Sequence, residues 1–152
     1  MDDLAVRPAR ADEAVALGRL ALRSKAYWGY DDDFLAACRT ALRVDPSWCD
    51  GLRVQVAERE GRTQGFFRVA GTAPAGELDA LFVDPPAIGT GVGAELLRAA
   101  CNVARGLGMS GLGLDADPGA EGFYLHAGAT RVGSSPSTVE PGRMLPRLRL
   151  VV

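Results

Sequence analysis

Val83-Asp84-Pro85-Pro86-Ala87-Ile88-Gly89-Thr90-Gly91-Val92-Gly93 joins an apolar run to the start of the most regular helical pattern in the chain. Glycine alternates with other residues at 89, 91 and 93, so successive backbone N–H groups can turn into one concavity with no Cβ in the way. A helix that starts here adds the partial positive charge of its N-terminus, a combination that binds phosphate. Backbone geometry alone could also ask for a glycine-rich turn, but the flanking strand and long helix favour an anion site.

Upstream, Glu77-Leu78-Asp79-Ala80-Leu81-Phe82-Val83 alternates at first and is wholly apolar at its end, the pattern of a strand whose last residues are buried on both faces. Leu52 to Glu58 and Gln64 to Val69 precede it as an antiparallel hairpin turning at Glu60-Gly61. Before these come a short strand, Leu4 to Pro8, an amphipathic helix opening at Ala11, and a second helix behind Asp31-Asp32-Asp33, which supply its N-cap and acidic first turn. Downstream, Val92, Leu96, Ala100, Val103 and Leu107 mark one face of a long helix ending at Gly106 or Gly108. A glycine-rich strand, Met109 to Leu114, and a short helix through Phe123, Tyr124 and Leu125 come next. Thr130 to Ser135 and Met144 to Val152 make a closing strand pair.

Known phosphate loops constrain the choice. A Walker A loop needs Gly-Lys-[Ser/Thr], and here Gly93 is followed by Ala94-Glu95. A dinucleotide fingerprint can be laid on Gly89, Gly91 and Ala94, with Asp115 or Asp117 as the ribose ligand. That fit is weak, because Asp84-Pro85-Pro86-Ala87 separates strand from loop and an antiparallel meander precedes it.

The segment resembles the acyl-CoA loop of the GNAT superfamily of N-acetyltransferases, V-x-P-x-x-[Q/R]-x-x-G-x-[G/A], through Val83, Pro85, Gly91 and Gly93. Asp117 to Ala129 is similar to a second family element, N-x-x-A-x-x-F-Y-x-x-x-G-[FA], and Gly142-Arg143-x-Leu145-Pro146 to the ending of bacterial members. Ile88 stands where the family usually has Gln or Arg, and Asp117 where Asn is common. The resemblance runs from Val6 to Leu150. It implies one α/β domain over residues 1–152, with a central, mostly antiparallel mixed sheet, a splayed parallel strand pair and helices on both faces.

Acetyl-CoA is then the implied cosubstrate, transferred directly to a primary amine. Leu81, Phe82 and Val83 would hold the pantetheine arm through their backbone, and Ile88, Gly89, Thr90, Gly91, Val92, Gly93 and Ala94 the phosphates, with Asp117 beside them. Tyr124 matches the tyrosine that protonates the departing sulfur; its unperturbed pKa near 10 makes a phenol a sensible neutral donor. Glu77 is the implied base, acting through water, with Asp79 two residues on. Trp28, Tyr30 and Asp31 lie where the family builds its acceptor pocket, aromatics and a carboxylate suited to a cationic amine. An acyl-CoA-binding module without catalysis is the alternative, motivated by Ile88.

Composition agrees with a globular domain: apolar residues make up 47% and charged residues 24% of the 152. Mean hydropathy is +0.03 and net charge −2, with no basic stripe, which argues against nucleic acid and membrane as partners. Cys38, Cys49 and Cys101 form no CxxC pair, and with His126 as the single histidine no metal site is expected. The acidic start, Met1-Asp2-Asp3, is unlike a secretory signal, so a cytoplasmic location is expected. Without a basic run or extra domain the acceptor is expected to be a small molecule. The apolar closing strand, Leu148, Leu150 and Val152, raises the possibility of a homodimer.

Overall fold

A computed structural model describes residues 3–152 of the chain. In order, the elements are β1 (Leu4–Pro8), α1 (Ala14–Ala26), α2 (Asp32–Ala41), β2 (Val54–Arg59), β3 (Arg62–Thr72), β4 (Ala75–Val83), α3 (Val92–Gly106), β5 (Gly111–Asp115), α4 (Glu121–His126), β6 (Thr130–Pro136) and β7 (Met144–Val151). Seven strands form one sheet in the order β1-β2-β3-β4-β5-β7-β6. Every neighbouring pair is antiparallel except β4 and β5, which α3 connects as a crossover.

Helices cover both faces. Leu96, Leu97, Ala100 and Ala104 of α3 pack on Phe67, Val69, Leu112 and Leu148; Leu17, Leu20 and Ala21 of α1 pack on Val54, Val56 and Phe66 from the other side. Phe66 and Phe67, adjacent and both fully buried, serve opposite cores because successive strand side chains alternate. Leu148 and Leu150 of β7 belong to the α3-side core, so these two side chains are spent within the chain rather than offered to a second copy.

Two details of β4 shape the site. Its parallel pairing with β5 extends only from Ala75–Glu77 to Gly111–Gly113, after which the strands part. Against β3, Val69 pairs with Leu78 and Arg68 with Ala80, leaving Asp79 as an extra, bulged residue. The bulge inverts the alternation: Leu78, Leu81 and Val83 pack toward α3, while Ala80 and Phe82 pack toward α1.

Candidate functional site

Where β4 and β5 part, a single cleft of about 680 Å³ opens. Leu81 and Val83 from one face of β4 and Ala80 and Phe82 from the other all line it, so it runs through the sheet from the α3 side to the α1 side. Leu81, Phe82 and Val83 are accordingly half-buried, not buried on both faces as their apolar run suggests, because no strand covers their β5-facing edge.

The α3 side of the cleft is built from backbone. Gly91, φ 89°, is the N-cap of α3 and offers no side-chain cap to this 15-residue helix. Gly89 has φ 81°, and a Cβ on either glycine would meet nothing within 4 Å, so both stand open to the cleft they line. The first intrahelical bond is Glu95 N–H to Gly91 O, 3.2 Å, which leaves the N–H groups of Val92, Gly93 and Ala94 ahead of it. A turn over Pro85–Ala87, to whose Ala87 carbonyl the Thr90 hydroxyl donates, sets the loop. Gly93 has a packing duty as well, since a Cβ there would lie 3.3 Å from the Phe123 ring. Ile88 and Ala94 line the cleft; the Val92 side chain is buried in the core, and only its N–H can serve a ligand. The donors fit a phosphate-bearing ligand without help from residue 88.

Tyr124, on the one-and-a-half turns of α4, lines the cleft and is 7% exposed, with the Phe123 ring edge-on at 5.0 Å. Burial pushes its phenol well above its ordinary pKa, so the hydroxyl stays protonated at neutral pH. His126, at the end of the same helix, is exposed.

The α1 side is built from side chains that meet over long sequence distances. Asp117 Oδ2 accepts from Lys25 Nζ and from the Tyr30 hydroxyl, both at 2.7 Å, and its Oδ1 accepts from Gly119 N–H at 2.9 Å. Arg143, from the β6–β7 loop, donates to the Tyr30 hydroxyl and lies 3.9 Å from Asp117. Lys25 and Arg143 also sit over the stacked Tyr30 and Phe34 rings, 4.8 to 5.7 Å from their centroids. Burial alone would raise the Asp117 carboxyl; the bonds from Lys25, Tyr30 and Gly119 outweigh it and hold the carboxyl below its usual range. Burial and the Asp117 charge push Tyr30 upward. This clasp ties α1, α2, the β5–α4 loop and the β6–β7 loop together. Trp28 lies against Gly119, where a Cβ would come within 2.8 Å of its ring, and lines the cleft. Asp31 does not reach the cleft wall: its carboxylate accepts from Phe34 N–H, 2.8 Å, as the cap of α2.

Glu77 sits at the root of the splay, outside the cleft walls, with both carboxylate oxygens bonded by Arg147. Gly113 makes room for that pair, since a Cβ there would lie 2.8 Å from Glu77 Oε1. The bulged residue Asp79 lines the cleft, with its Oδ2 held by Arg68 at 2.6 Å, and Arg68 itself stacks 3.6 Å from the Trp48 ring centroid. Sequence reasoning missed Lys25, Arg68, Phe34, Cys38 and Arg143 as members of this region. One signal was present: Lys25 is the one lysine among seventeen basic residues.

Among the described residues no group of acidic, Cys or His side chains could hold a metal ion, and no helix is long and apolar enough to cross a membrane. The acetyltransferase (GNAT) family model matches residues 22–129. No curated protein matches in sequence. Three similar solved structures are all N-acetyltransferases. A GCN5-related N-acetyltransferase from Rhodopseudomonas palustris is 22% identical, with TM-score 0.82, covering 100% of this chain and 98% of that one. The PaiA N-acetyltransferase of Thermoplasma acidophilum, solved with coenzyme A, is 14% identical, with TM-score 0.79 and 99% of each chain covered. The ribosomal-protein-S18-alanine N-acetyltransferase of Escherichia coli is 15% identical, with TM-score 0.71, covering 98% of this chain and 94% of that one.

Proposed function

The chain belongs to the acetyltransferase (GNAT) family, and from that premise we propose that it moves an acetyl group from acetyl-CoA to the primary amine of a small molecule in the cleft between β4 and β5. The observation that carries this reading is the cleft itself, which joins a backbone-lined anion site on one side of the sheet to a side-chain-lined chamber on the other. Donor and acceptor can enter from opposite faces and meet at the parted strands.

Acetyl-CoA, when bound, supplies a thioester whose acetyl carbon takes the amine nitrogen as the C–S bond breaks, giving amide, free thiol and one released proton. The N–H groups of Gly89, Gly91, Val92, Gly93 and Ala94 receive its phosphates. The unpaired edge of Leu81, Phe82 and Val83 offers backbone groups to the pantetheine arm. A backbone N–H on this edge, aimed at the thioester oxygen, supplies the electrostatic stabilisation that acyl transfer needs. Tyr124 gives its hydroxyl proton to the departing sulfur, a role consistent with a phenol that burial keeps protonated. Asp79, in the cleft wall, is the nearer acceptor for the ammonium proton; Glu77, tied to Arg147, is reached only through water. Asp117 acts from behind, by fixing Lys25, Tyr30 and the turn that leads into α4.

Calorimetric titration with acetyl-CoA, followed by thiol release against a panel of amines, tests the proposal. Binding with amine-dependent thiol release is expected. Binding without release from any amine would favour the non-catalytic acyl-CoA-binding module, and no binding would end both readings.

A further inference from the structure

Four charged side chains line the cleft, Lys25, Asp79, Asp115 and Asp117, and each has a partner of opposite sign. Lys25 is paired with Asp117 at 2.7 Å, Asp79 with Arg68 at 2.6 Å, and Asp115 with Arg147 at 3.3 Å. Apart from the hydroxyl residues Ser24, Ser137 and Thr138, the α1-side chamber is lined mainly by apolar side chains: Phe34, Cys38 and Leu42 from the α1–α2 region, Ala80 and Phe82 from β4, and Val139 and Leu145 from the β6–β7 region. A recess of about 40 Å³ adjoins it, sharing Leu42, Asp79, Ala80 and Phe82 with the cleft and reaching back to Trp48, Val54 and Phe66, with Arg43 and Arg68 also in its wall.

From this pattern, and resting on the acetyl-transfer reading above, we infer that the acceptor is a monoamine with an apolar body, an arylalkyl- or branched alkylamine. Its ammonium meets the Asp79 carboxylate, whose Oδ1 carries no bond among the described residues while Arg68 holds Oδ2. Its body lies on Phe34, Cys38, Leu42 and Phe82, where burying apolar surface is favourable. The charge pairing sets the class. An amino acid brings a carboxylate, for which the only cation on the cleft wall among the described residues, Lys25, is already held by Asp117; a polyamine brings further ammonium groups, which the apolar side chains around Asp79 leave unmatched once its free Oδ1 is taken. Either ligand would have to break an existing pair or leave a charge buried and unmatched. A chamber walled by paired charges and apolar side chains therefore selects against polar acceptors as well as for apolar ones.

The test compares kcat/KM for phenethylamine and isoamylamine with that for spermidine, glycine and an alanine-initiated peptide, at saturating acetyl-CoA, in the preparation whose acetyl-CoA binding has been titrated. The apolar monoamines are expected to lead by about tenfold or more. Leu42→Ala, at the junction of chamber and recess, is expected to raise KM for them several-fold with KM for acetyl-CoA unmoved. A lead for spermidine, glycine or the peptide, with acetyl-CoA binding intact, overturns the acceptor class and leaves acetyl transfer standing. Failure to bind acetyl-CoA overturns the transfer reading and this inference together.

Discussion

The two sides of the cleft are made of different materials. On the α3 side the ligand-facing groups are backbone N–H groups and two open glycines, held by a turn and the start of one helix, all within residues 85–95. On the α1 side they are side chains drawn from positions as far apart as Lys25 and Asp117, held by Tyr30 and Arg143 outside the cleft wall. A backbone site has local causes and depends little on which side chains flank it; a side-chain site depends on every partner being present. Substitutions should therefore act differently on the two sides, and five of them separate the effects.

Tyr124→Phe, at the junction of the two sides, should have the largest consequence: kcat falls by about 10²- to 10³-fold with acetyl-CoA affinity kept, since only a proton donor is lost. Stopped-flow thiol detection at saturating acetyl-CoA checks this, and an unchanged kcat would remove Tyr124 from the chemistry. Gly91→Val should weaken acetyl-CoA binding by about fiftyfold, because φ 89° is hostile to a β-branched residue and the new side chain enters the cradle. Calorimetry reads it directly, while Ile88→Gln, beside the same loop, should change affinity by less than about threefold.

On the α1 side, Asp117→Asn should cost about 1–2 kcal/mol of stability by leaving Lys25 and Arg143 without their buried carboxylate. Its pH dependence has a definite sign. The Asp117 carboxyl lies below its ordinary range in the folded chain, so the stability it contributes is present above the unfolded value of about 3.9 and is lost as pH falls through the folded value. Thermal melts from pH 7 to pH 3 should show a steeper acid loss for the parent chain than for the variant. A modest effect on stability is expected for Asp31→Ala, which removes the α2 cap: about 1 kcal/mol, a Tm lower by a few degrees.

Legibility in the sequence divides along the same line. The strand, turn and helix around the glycines could be read because their causes are local: glycine where φ is positive, proline before the loop, apolar residues at helical spacing in α3. The mostly antiparallel mixed sheet and its parted parallel strands came with the resemblance and agree with the structure. What could not be read depends on register and distant contacts. The bulge at Asp79 inverts the faces of β4 and puts Asp79, rather than Glu77, in the cleft wall, and nothing in residues 77–83 announces it. Gly113 reads as a weak strand residue until Arg147, 34 positions on, is seen to occupy the space above it with Glu77.

If the glycine loop and the chamber are two ends of one acetyl-transfer site, a ligand held at one end must become reactive only when the other is filled. The decisive experiment is calorimetric titration of acetyl-CoA into the parent chain and into Gly91→Val, with and without phenethylamine present. One saturable acetyl-CoA site per chain is expected, sharply weakened by Gly91→Val, with heat from turnover appearing only when amine is added to the parent chain. Acetyl-CoA binding that is indifferent to Gly91→Val, or no binding at all, would contradict a single two-ended site.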